Sequence, residues 1–136
     1  MYRGLLDLGV ALDELRLRLP VLAAGIATVV LLPRAVQPWI GVGAARAFAW
    51  WLALSPALVL FSRVVRYYAP KVLLASLAAA AFAHWWTRRT RRSAFLYATL
   101  AAAAIHVHLF AAPFALAPLL FGALALALGR GGAPPL

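Results

Sequence analysis

Beyond Glu14 this chain contains no acidic residue. Its three acids, Asp7, Asp13 and Glu14, fall within the first fourteen residues, while thirteen Lys and Arg are spread along all 136. A water-soluble domain covers its surface with charges of both signs, about a quarter of its residues. Here charged residues make up 12% and hydrophobic ones 66%. That excludes a soluble globule. In hydrocarbon every backbone polar group must be satisfied, and a helix does so within its own segment. The sequence therefore predicts an all-α, polytopic helical integral membrane protein.

The basic residues mark where spans end. They leave uncharged intervals at 19–33, 35–45, 47–62, 72–87 and 93–129. Sixteen helical residues cover about 24 Å of a hydrocarbon core about 30 Å thick. The intervals 47–62 and 72–87 are thus short, but Arg46, Arg63, Arg66, Lys71, Arg88 and Arg89 can bury their stems and lift their charges to the headgroups. Spans at roughly 44–66 and 70–87 follow. The interval 93–129 is too long, since as one helix it would reach about 55 Å. Pro113 and Pro118 place a break near Phe110–Pro118, giving a tight hairpin of 94–111 and 114–129. A single long kinked helix is the competing reading.

The N-terminal stretch reads differently. Leu5, Leu8, Leu12, Leu15 and Leu19 form one helical stripe, and Glu14 pairs favourably with Arg18. Residues 1–18 are expected to be an amphipathic interfacial helix. Its acids are foreign to a signal peptide, so no cleaved leader is expected. A helix at 19–32 bounded by Pro20 and Pro33 follows, then an interfacial turn at 34–46 containing Pro38, Trp39, Gly41 and Gly43. The domain plan is 1–18, a transmembrane domain at 19–129 with four to five spans, and a short Pro-Gly tail at 130–136. Trp39, Trp50, Trp51, Tyr67, Tyr68, Trp85, Trp86 and Tyr97 lie near the expected span ends, as aromatic belts do. With five spans, seven basic residues fall on one side and six on the other, so the dense Arg88–Arg92 cluster decides the orientation. The positive-inside rule puts that cluster and the C-terminus in the cytoplasm.

Catalysis finds little to work with. Acid–base, phosphoryl-transfer and metal-assisted mechanisms need carboxylates in the site, and none exists after Glu14. Cysteine is absent, which removes thiolate nucleophiles, iron–sulfur ligation and disulfides. No enzyme, metal or cofactor is expected. His84, His106 and His108 are candidate ligands, but His106 and His108 sit about 200° apart on a helix. A simple hairpin separates His84 from His106 by roughly 20 Å in depth. A haem held inside one chain fails on that geometry, and packing or carbonyl bonding is the favoured role for these rings.

Two stripes of small residues are candidates for close helix packing, within the chain or between chains: Ala75, Ala79 and Ala83, and then Ala94, Ala98 and Ala102. Against this, Ala occupies 32 of the 136 positions, so such spacing arises often by chance. The basic clusters carry the most usable chemistry. Arg63, Arg66 and Lys71 form one, and Arg88, Arg89, Arg91 and Arg92 the denser. Each juxtamembrane basic residue adds about 1 kcal/mol of attraction to anionic headgroups. Recognition of a nucleic acid by the same clusters is the less favoured reading.

Two hydrophobic helices joined by a short basic loop, as at 70–129, form a layout similar to that of the pilins of bacterial conjugation systems. The likeness rests on layout without a motif, so it implies no residue's role. The expected function is structural or accessory. The chain would pack against itself as a homo-oligomer or against partner helices in a membrane complex, and hold anionic phospholipid headgroups with its Arg-rich loops. The alternatives are a small channel or carrier for an anion or neutral solute, and a haem- or quinone-binding subunit of a redox complex. Cation coupling is disfavoured because the spans hold no Asp or Glu.

Overall fold

The computed structural model describes residues 14–63 and 68–129, and every regular element among them is helical. In chain order these are α1 (Glu14–Leu54), α2 (Pro56–Arg63), α3 (Tyr68–Arg88), α4 (Arg91–Val107), a 3-10 turn (Leu109–Ala111) and α5 (Ala112–Ala127). Two stretches are long and apolar enough to cross a bilayer, Arg18–Leu54 and Leu109–Ala127. Most of the expected interfacial helix, residues 1–13, lies outside the described residues, and 14–18 open α1 without a boundary at 19.

The contacts divide the chain into two compact units, Met1–Leu73 and Leu74–Leu136. In the first, α1 is broken once, at Gly41, whose φ of 80° and ψ of 166° belong to no helix. This corrects the sequence expectation of a helix ending at Pro33 and an extended turn over 34–46. The helix runs through Pro20, Pro33 and Pro38, and the turn is concentrated in one residue. A proline inside a helix removes one bond and crowds one carbonyl. Unwinding thirteen residues would give up many more backbone bonds than the prolines do, so the helix persists. Glycine alone adopts the Gly41 conformation without strain.

At Gly41 the chain doubles back. Leu22, Ile26, Val29 and Val30 on the arm at 14–40 share a cleft with Leu52 and Ala53 on the arm at 42–54 and with Leu58 and Val59 of α2. The expected span over 44–66 is interrupted at Ser55. Its Oγ accepts from the Leu58 N–H at 3.5 Å, and Pro56 occupies the first helical position, where its missing donor costs nothing. A different face of the first arm buries Val21 and Ala24 against Ala69 of α3, with Leu73 alongside. Thr28, also buried, returns its hydroxyl proton to the Ala24 carbonyl at 2.8 Å.

The second unit holds the rest of α3 with α4 and α5. Its core joins Ala78, Ala81, Phe82 and Trp86 of α3 to Tyr97 and Ala101 of α4 and Ala115 of α5. Large rings meet small residues here. A Cβ placed on Gly122 would stand 3.0 Å from Trp86 Cζ3 and 3.1 Å from Phe82 Cζ. The Tyr97 hydroxyl donates to the Ala115 carbonyl. In one continuous helix those residues would lie about 27 Å apart, so the fold is the hairpin and not the long kinked helix. The break comes at His108, earlier than the prolines suggested, because Pro113 sits in the first turn of α5, where proline is welcome.

Tyr97→Phe isolates that hydrogen bond, because the ring keeps its edge-on contact with Phe82 at 5.3 Å. A buried intramolecular hydrogen bond contributes about 0.5–1.5 kcal/mol net. The variant should lose about 1 kcal/mol of stability in detergent unfolding while its circular dichroism stays unchanged.

Candidate functional site

The Arg88–Arg92 cluster folds as a two-residue connection between helices. Arg88 is the last residue of α3. Arg89 takes a left-handed φ of 51° and donates its N–H to the Trp85 carbonyl at 2.7 Å. That position usually holds glycine, and a side chain there costs about 1–2 kcal/mol. Compensation comes from the guanidinium, which lies 4.4 Å from the Trp86 ring centroid and 5.6 Å from that of Trp85. Such a contact contributes about 0.5–2 kcal/mol.

Thr90 then caps α4. Its Oγ1 accepts from the Ser93 N–H at 3.4 Å, and Ser93 Oγ donates to the Thr90 carbonyl at 2.9 Å. Arg91 and Arg92 occupy the exposed first turn of α4, which holds no acid. Positive side chains at a helix N-terminus add to the positive end of the dipole instead of opposing it. The turn therefore concentrates charge of one sign and favours an anion.

The other basic cluster is only partly described. Lys71 Nζ lies 5.4 Å from the Tyr68 ring centroid. Arg63 ends α2, while its side chain and all of Arg66 lie outside the described residues.

The alanine stripes sit one position away from the packed faces. Ala78 and Ala81 are buried in α3, whereas Ala75 and Ala83 are half-buried and Ala79 is exposed. In α4 the buried residues are Tyr97, Ala101 and Ala104; Ala94 is half-buried, and Ala98 and Ala102 are exposed. Ala79 and Ala83 instead line an open apolar cleft of about 450 Å³ with Phe82, Trp86, Phe114 and Phe121.

The three histidines do not converge on one ligand. His108 stands between α4 and the 3-10 turn, where its Nδ1 accepts from the Phe110 N–H at 3.2 Å. His106 is exposed and His84 half-buried. Among the described residues no three His, Cys, Asp or Glu side chains gather to hold a metal.

Sequence reasoning passed over a further pair, Arg34 and Arg46. Both line one cleft of about 480 Å³ with Gln37, between the arms that meet at Gly41. Its floor includes Val29 and Val30, which also line the cleft of about 260 Å³ farther down the same arms. The two clefts adjoin at Val29 and Val30 along the same arms and make a groove that carries Arg34, Gln37 and Arg46 only at its end near the bend. The available signal was symmetry: Arg34 and Arg46 lie seven and five residues from Gly41, so a sharp bend there brings them together. Reading 34–46 as a broad turn hid it. No protein-family model, curated protein or solved structure matches the chain.

Proposed function

We propose that this chain is a small integral membrane protein with a structural or accessory role. It packs against copies of itself or partner helices and holds anionic phospholipid headgroups at its basic turns. The arms at 19–33 and 44–63, with α3, α4 and α5, supply four to five crossings, and Arg88–Arg92 and the C-terminus face the cytoplasm. One observation carries the reading. The chain leaves large apolar side chains bare, with Trp51 80%, Phe110 76% and Leu120 72% exposed, while the only acids precede residue 15. In water such a surface aggregates; in lipid it is the expected outer face.

The Arg88–Arg92 turn supports the lipid half of the proposal, because four guanidinium groups meet there with no carboxylate nearby in sequence. Replacing Arg88, Arg89, Arg91 and Arg92 by Gln removes roughly 1 kcal/mol of headgroup attraction at each position. Native mass spectrometry from mild detergent, with phosphatidylglycerol and phosphatidylcholine offered together, reads the effect. Preference for the anionic lipid should fall at least tenfold in the quadruple variant. An unchanged preference would refute the assignment. The same spectra give the oligomeric state.

A further inference from the structure

We infer that the groove between the two arms of α1 is a binding site for one anionic phospholipid, its phosphate held between Arg34 and Arg46 and an acyl chain laid along the apolar floor. The inference rests on the membrane reading and adds a discrete site to it. Three observations converge on that occupant.

The first is charge. Two arginines line one cleft, and the chain has no acid after Glu14. Glu14 lies twenty residues before Arg34, about 30 Å along the arm. Arg34 donates one Nη1 proton to its own helix, at the Val30 carbonyl 3.3 Å away. A guanidinium has five N–H donors, so four remain on this one. Two like charges lining one cleft repel each other. A phosphate between them reverses the sign of that interaction and accepts in the fork geometry arginine favours.

The second is the apolar continuation. Beyond Val29 and Val30 the groove is walled by Ile26, Leu22, Leu52 and Leu58. From Val30 to Leu22 is about 12 Å along the helix, most of the roughly 15 Å depth of one leaflet's hydrocarbon. A free anion has no use for that extension, and an acyl chain does. Arg88, Arg89, Arg91 and Arg92 line neither part of this groove nor the aromatic cleft of the second unit.

The third is depth. Arg34 and Arg46 stand about 10 Å and 8 Å along their arms from Gly41. With the bend in the headgroup layer, roughly 5–8 Å thick on each side, both guanidinium groups reach the lower edge of that layer. Phosphate and acyl chain then meet where the polar and apolar parts of the groove join.

The test offers phosphatidylglycerol, phosphatidylcholine and inorganic phosphate to the full chain in mild detergent, read by native mass spectrometry under rising collisional activation. The wild type should keep one phosphatidylglycerol after all other lipid has been stripped. Arg34→Gln with Arg46→Gln should lower its occupancy at least tenfold, whereas Arg18→Gln, at an exposed position on the same arm that lines neither cleft, leaves it in place. Arg34→Lys with Arg46→Lys keeps the charge and loses the fork, so it should retain an intermediate share. Ile26→Trp, which fills the groove and leaves both arginines, should also release the lipid.

Retention in the Arg34→Gln/Arg46→Gln variant, or equal release by the Arg18→Gln variant, overturns the site. Displacement by inorganic phosphate at millimolar concentration would show a simple anion site and overturn the lipid assignment. If carbonate extracts the chain from membranes, the parent reading falls as well. If the chain resists carbonate yet holds no tight lipid, only this inference falls.

Discussion

Trp86→Ala is expected to lower the stability of the second unit by on the order of 3 kcal/mol, the largest single loss predicted for this chain. Trp86 is 9% exposed and touches side chains from α3, α5 and the basic turn. Its ring stacks on Phe82 at 5.9 Å, meets Phe121 edge-on at 6.2 Å and lies under the Arg89 guanidinium. In aqueous cores Trp→Ala costs about 3–5 kcal/mol. In the lipid surroundings proposed above, the transfer contribution falls away and lost dispersion contact remains, which places the expectation at the low end. Phe95→Ala, at a 75% exposed ring, should change stability by less than about 0.5 kcal/mol.

Gly122 sharpens the test. Gly122→Ala should cost about 1–3 kcal/mol in the wild type, because the added methyl stands 3.0 Å and 3.1 Å from two packed rings that must shift to admit it. With Trp86→Ala already present, the nearer obstacle is gone and the added cost should largely vanish. Unfolding from mild detergent into dodecyl sulfate, followed by circular dichroism, measures all four proteins. Additive losses, or a Trp86→Ala loss no larger than that of Phe95→Ala, would contradict the core described here.

The second large effect concerns the bend. Gly41→Ala should destabilise the first unit by about 1–3 kcal/mol, since alanine is strained at φ 80° and ψ 166°. No neighbour lies within 4 Å of a Cβ built there, so the cost is conformational and not steric crowding. Gly43 is an internal control. It is helical and equally uncrowded, so Gly43→Ala should stabilise by about 0.5–1 kcal/mol. Two identical substitutions two residues apart are thus expected to act with opposite sign. The same unfolding assay decides it, and equal signs would remove the hinge from the account.

These positions also show what was legible in the sequence. Helical class, the hairpin over 94–129 and the basic turn at Arg88–Arg92 all followed from charge spacing and chain length. The packed faces did not, because alanine occupies several sides of α3 and α4 and carries no phase. Aromatic residues set it: Phe82 and Trp86 lie four apart and face Gly122, which moves the buried face one position from Ala75, Ala79 and Ala83. The prolines misled for a related reason. Each proline removes only one bond from a helix, and α1 keeps Pro33 and Pro38 inside one that breaks only at Gly41. The Arg34–Arg46 pair was hidden because its meaning depends on a single glycine's dihedral angles.

The central claim is that the bare apolar helices face lipid. The chain has no native cysteine, so single cysteines can be placed at will and probed in intact membranes with a water-soluble maleimide. Leu120→Cys and Thr90→Cys are the informative pair. Both residues are exposed, Leu120 by 72%. If α5 crosses the membrane, Cys at 90 in the basic turn labels readily once the cytoplasmic face is opened, and Cys at 120 stays unlabelled until detergent is added. Equal labelling of both in intact, opened membranes would mean that the α5 surface meets water, and the account would fail.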